Sequence, residues 1–143
     1  MTHKFKSAIE EINQKSGTLN PIEICKGMGI VLLFTDLPKQ TRGFYMSTSF
    51  GSAIVVNEAL KGAEKTACIA HELGHATLHE GLNYMFMNSS TQMVTGKYEN
   101  AANQFAAMLL MQNMVCDFPD TVVKLADMLS LPVSAVKWAV EQL

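Results

Sequence analysis

Residues 70–79 read Ala70-His71-Glu72-Leu73-Gly74-His75-Ala76-Thr77-Leu78-His79, and the stretch His71 to His75 is an HExxH pattern. Its chemistry depends on a helix. At 3.6 residues per turn, positions i and i+4 share one face, so His71 and His75 can both reach one tetrahedral Zn²⁺. Glu72, rotated by about 100° from His71, then reaches a water beside that ion. In sites of this kind the metal lowers the pKa of its water to about 7, and the carboxylate takes the proton as the water attacks a carbonyl. The flanks favour a helix over Ala63 to His79. Ala63, Ala67, Ala70 and Gly74 place small residues on one face, which permits close approach to a sheet or a second helix, and Gly81 is a natural stop. Three of the four histidines crowd this segment; the bland alternative is a solvated or structurally satisfied histidine face.

Working outward toward the N-terminus, Ile30 to Phe34, Arg42 to Thr48 and Ala53 to Val56 read as three strands. Ser49-Phe50-Gly51 joins the last two closely enough for a hairpin, with Gly51 able to take a positive φ. Before them, Phe5, Ile9 and Ile12 recur at helical spacing up to Gly17, and Pro21 opens a short helix, Ile22 to Lys26, that stops at Gly27. Toward the C-terminus, Leu82 to Lys97 reads as a long loop that acts as a lid or cleft wall. Tyr98 to Met114 is a second strong helix. Pro119 and Pro132 punctuate two more, with Ser134 placed to cap the last. From order alone, an extended peptide is expected to pair along an exposed edge near Ser52 to Asn57.

A catalytic zinc usually has three protein ligands and an open position, so a third donor is needed. Glu99 is the best candidate: it opens the helix after the motif, where Ala102, Asn103, Ala106 and Leu110 continue its face. The competing reading makes it an acidic first-turn residue favoured by the helix dipole. Glu80 and Asp117 are weaker candidates. Cys68 reads as a small core residue, and His79 either as an outer partner of the site or as a helix-end cation. Tyr84-Met85-Phe86-Met87 either lines an apolar pocket or fills core gaps.

Composition bounds the rest. The 143 residues suit one domain spanning 1–143, with 48% hydrophobic and 17% charged residues and a net charge of −2. So small a charge gives no field for holding a phosphate backbone, and nucleic acid is not an expected ligand. The three cysteines, Cys25, Cys68 and Cys116, lack paired spacing and read as reduced core residues. The N-terminus lacks a secretory h-region, and no apolar run approaches the ~18 residues a membrane span needs, so a cytoplasmic location is expected.

With these residues in view, the chain resembles the ImmA/IrrE metallopeptidases, a family associated with phages, mobile elements and stress responses. The resemblance rests on Ile54 to Asn57, His71 to His79, Glu99 to Met111, and Leu125-Ala126 followed by Val133 to Val136 and Trp138. It implies an α+β, zincin-like single domain: a small three-stranded sheet packed against the HExxH helix and further helices. It also implies that His71, His75 and Glu99 hold Zn²⁺, and that Glu72 is the catalytic base. The implied function is a zinc metallo-endopeptidase that cuts a helix-turn-helix repressor and so derepresses an operon. One departure is Gln112, where the family often has proline after Leu-Leu-Met, which puts the end of that helix in doubt.

Two other readings compete. A metal-stabilised interaction protein would grip a repressor or antitoxin-type partner without cutting it; the retained Glu72 argues for turnover. The C-terminal helices could instead form a DNA-binding helix-turn-helix, but Lys124 and Lys137 are their only basic residues, against Asp120, Asp127 and Glu141.

Overall fold

A computed structural model of the chain describes residues 2–78 and 92–143, with side chains over 3–78 and 96–143. Helix α1 (Thr2–Ser16) buries Phe5, Ile9 and Ile12, the i, i+4, i+7 stripe of its sequence. Helix α2 (Pro21–Gly27) starts where proline needs no amide partner, and Asn20 Oδ1 caps it by accepting from the amides of Ile22 at 3.0 Å and Glu23 at 3.2 Å. Strands β1 (Ile30–Thr35), β2 (Gly43–Thr48) and β3 (Gly51–Asn57) follow, and Gly51 turns the β2–β3 hairpin at φ +135°. This is the α+β order expected.

The sheet order is β1-β3-β2, with β3 parallel to β1 and antiparallel to β2. Strand β3 is therefore paired on both sides, so the expected peptide docking along Ser52 to Asn57 is wrong. Chain order could not reveal that the last strand inserts between the first two. The outer strands are β1 and β2. Ile54 and Val56 of β3 turn inward onto the helices, whereas Val31 and Leu33 of β1 lie about half exposed on the opposite face.

Helix α3 (Gly62–Leu78) carries the HExxH residues across the inner face of the sheet and packs most extensively on α4 (Gln92–Gln112). Gly74 makes that approach possible. A Cβ built there would stand 3.0 Å from Ala102 Cα and 3.1 Å from its carbonyl oxygen, so any side chain would push the helices apart. Helix α4 begins at Gln92, six positions before Tyr98, so residues 92–97 are helix where a loop was expected. Thr95 and Gly96 weaken the local helical signal there without breaking it. The remainder of the expected lid, with Glu80 and Tyr84 to Met87, lies outside the described residues, as does His79. At its other end α4 stops at Gln112, short of Met114, so no proline is required there.

Helices α5 (Val122–Leu129) and α6 (Val133–Glu141) pack on each other and close the fold, α5 against α3 and α6 against α4, and they bury Leu125, Leu129 and Val136. Thr121 caps α5 and Ser130 ends it in the left-handed region at φ 55°. Pro132, not Ser134, occupies the cap position of α6, because its fixed φ already sets the helical entry, and it makes no side-chain capping bond. No helix among the described residues is long and apolar enough to cross a membrane.

Candidate functional site

The spacing within α3 brings the two imidazoles of the motif together: His71 and His75 stand edge to face, ring centroids 4.8 Å apart, with their Nε2 atoms at 3.2 Å. Helix α4 delivers Glu99 against both. Its Oε2 is 2.9 Å from His71 Nε2 and its Oε1 is 3.2 Å from His75 Nε2. Because α4 starts at Gln92, Glu99 lies two turns inside the helix. The first-turn dipole explanation for an acid at this position therefore does not apply.

These three side chains are the one His/Cys/Asp/Glu group among the described residues that could hold a metal ion, their ligand atoms all within 4.8 Å of one another. Neither Cys68 nor Asp117 joins them. The donor set suits the ion expected from the sequence. Two imidazole nitrogens facing each other at 3.2 Å both present lone pairs unless one carries a proton, and a cation between them and the carboxylate satisfies all three. Even without a cation, charge is strongly biased here. Burial pulls His71 down, but the bond to Glu99 and the field of Glu72 outweigh it and leave its pKa raised; burial holds His75 below its usual value. Burial alone would raise Glu99, yet the two imidazoles hold it down at about 2.

Glu72 is the buried acid of the site. It is 4% exposed, its Oε2 lies 3.9 Å from His71 Nε2, and its Oε1 has no hydrogen-bond partner among the described residues. Loss of hydration raises its pKa to about 7; His71 and the Tyr45 amide oppose that shift and Glu99 adds to it. A carboxyl whose folded pKa exceeds its unfolded one favours the fold most below the unfolded value, and that contribution is lost as pH rises through the folded pKa. Metal-stripped protein is therefore expected to lose roughly 3 kcal/mol relative to Glu72→Gln between pH 4 and pH 8, measured by urea unfolding. A pH-independent difference between the two would show that Glu72 is not protonated in the metal-free fold.

A cavity of about 550 Å³ opens over this cluster, lined on one side by Gln40 to Phe44 and on the other by Ser130 to Pro132. Cys68 lies in its wall, its thiol pushed up to about 12 by burial, and so remains protonated. Cys25 is also a buried thiol, while Cys116 is exposed, contrary to the expectation that all three lie in the core. Composition does not reveal that Cys116 falls in the connection between α4 and α5.

Two contributors were not singled out from the sequence. Asn57, 5% exposed, donates from Nδ2 to the carbonyls of Leu37, Pro38 and Thr41, fixing the loop that leads into the cavity wall. Its position at the end of an apolar strand was the only signal available. Asn103 lies 2.7 Å from His71, a pairing that requires two helices to be placed in space.

Residues 25–115 match the peptidase M78 family, described as an IrrE N-terminal-like domain, and that span contains the cluster, Glu72 and the cavity wall along β2. The chain is 37% identical over 111 residues to "Uncharacterized immunity region protein 2" of Bacillus phage phi105, covering 78% of this chain and 70% of the phage protein. It is 29% identical over 108 residues to "Metallopeptidase ImmA" of Bacillus subtilis (strain 168), covering 75% of this chain and 63% of ImmA, less than two thirds of that relative's length. With a His-His-Glu cluster beside a buried carboxyl at the heart of the matched span, the chain belongs to the IrrE N-terminal-like family of metallopeptidases.

Proposed function

We propose that this chain is a cytoplasmic zinc metallo-endopeptidase that hydrolyses one peptide bond in a helix-turn-helix repressor, with His71, His75 and Glu99 as metal ligands and Glu72 as general base. The observation that carries the reading is the convergent His-His-Glu donor set, with the buried carboxyl of Glu72 beside it, in the wall of an open cavity. Zn²⁺ held by the three ligands would supply Lewis-acid polarisation of the scissile carbonyl and acidification of the attacking water.

Glu72 takes the proton from that water at Oε2, the oxygen on the side of His71 Nε2, and passes it to the leaving amine. A carboxyl poised near neutrality suits both halves of that transfer. The substrate lies in extended form along β2. Asn57 donates its amide to Arg42 across the β2–β3 ladder, so alternation directs the backbone groups of Gly43, Tyr45 and Ser47 away from β3. Those of Gly43 face the side on which the cavity opens, where a peptide can pair without dependence on its sequence. The name of the phage relative, an immunity region protein, supports a regulatory substrate.

The test takes as substrate any helix-turn-helix repressor found encoded beside this gene. Zinc-loaded protein is expected to convert it to two fragments whose masses add up to the parent plus one water. A chelator stops the reaction and Zn²⁺ restores it. A repressor that stays intact under these conditions refutes the proposed substrate.

A further inference from the structure

Asn103 stands one turn after Glu99 on α4, and its Oδ1 lies 2.7 Å from Nδ1 of His71, at the short end of the range for such bonds. An amide oxygen only accepts, so the His71 ring carries its proton on Nδ1 and donates it to Asn103. The other ring nitrogen, Nε2, is the one that faces Glu99 at 2.9 Å and His75 at 3.2 Å. With the amide turned over, its NH₂ would donate to Nδ1 and the ring proton would move to Nε2, into the cluster, where it would block ligation.

We propose that Asn103 is a positioning residue, which holds His71 in the Nδ1–H tautomer and aims Nε2 at the point shared with His75 and Glu99. This rests on the reading of those three side chains as zinc ligands. The spacing from Glu99 to Asn103 puts a ligand and the orienter of a second ligand on one face of α4. The close approach of α3 and α4 at Gly74 and Ala102 therefore sets both at once. The residue type is also informative. An aspartate would orient the ring equally well, but would set a third carboxylate near Glu72 and Glu99; a neutral amide gives the same acceptor without that repulsion.

The test is the zinc dissociation constant of Asn103→Ala and Asn103→Asp, measured by competition with a chromophoric chelator. The fold of each metal-stripped variant is checked by its unfolding midpoint. Loss of an outer hydrogen-bond partner typically weakens metal binding by about 10- to 100-fold, which is the effect expected for Asn103→Ala. Asn103→Asp keeps an acceptor of the same reach and is expected to restore most of the affinity. In the unaltered zinc-loaded protein, a long-range ¹H–¹⁵N correlation of His71 is expected to show an Nδ1–H proton protected from solvent exchange.

Parent-like affinity in Asn103→Ala, equal losses in both variants, or an unprotected Nδ1–H in the parent would each overturn the proposal while leaving the ligand assignment standing. A parent protein that binds no zinc would remove both together.

Discussion

Glu72→Gln is expected to bind zinc and the repressor as the parent does, and to cut the repressor roughly 10²- to 10⁴-fold more slowly, the usual cost of losing a general base. The geometry makes this substitution unusually clean. Glu72 reaches no closer than 3.9 Å to His71 Nε2, outside the group formed by His71, His75 and Glu99, so replacing one of its oxygens by NH₂ removes no ligand. The side chain is buried beside β2, and glutamine keeps its volume there. Rates are read by intact-mass time courses with excess enzyme, and binding by co-elution, where a trapped complex is expected. Derepression of the target operon should disappear with cleavage. If Glu72→Gln derepresses as fully as the parent, the effect is stoichiometric capture, and the chain works as a metal-stabilised interaction protein.

Removal of the proposed ligands gives the second large effect. One zinc per chain is expected in the parent, and His71→Ala, His75→Ala and Glu99→Ala should each weaken binding well beyond the about 10- to 100-fold loss typical of an outer partner. Glu99→Ala is the most informative of the three. Its carboxylate touches both histidines, at 2.9 Å and 3.2 Å, so its loss leaves two imidazoles facing each other without the one carboxylate in direct contact with both. Elemental analysis after gel filtration decides the matter. Full occupancy in Glu99→Ala would pass the third-ligand role to another residue, with Glu80 the next to test.

The local pattern determined a good deal by itself. Two histidines four residues apart on an alanine-rich helix dictate a shared face, with the glutamate between them turned to one side, because helical periodicity is a local property that no neighbour has to supply. The stripe of Phe5, Ile9 and Ile12, the proline that opens α2 and the glycine of the hairpin are local in the same sense. They were legible for that reason.

What tertiary structure decided was everything that depends on which surfaces meet. Strand β3 reads identically at an edge or at the centre, since an apolar run reports burial tendency and not its neighbours. Only pairing with both β1 and β2 removed it as a docking edge and left those two as the outer strands. In β1 the same ambiguity leaves Val31 and Leu33 apolar yet half exposed, because no described helix covers that face of the sheet. Glu99 was a candidate by sequence, with the dipole explanation still open; the helix that extends back to Gln92 and the contact at Gly74 and Ala102 carry it to the histidines. Asn103 was visible only as a residue on the Glu99 face. Its bond to His71 spans two helices, and an interaction of that kind exists only once the packing of the two has fixed a distance that neither segment encodes alone.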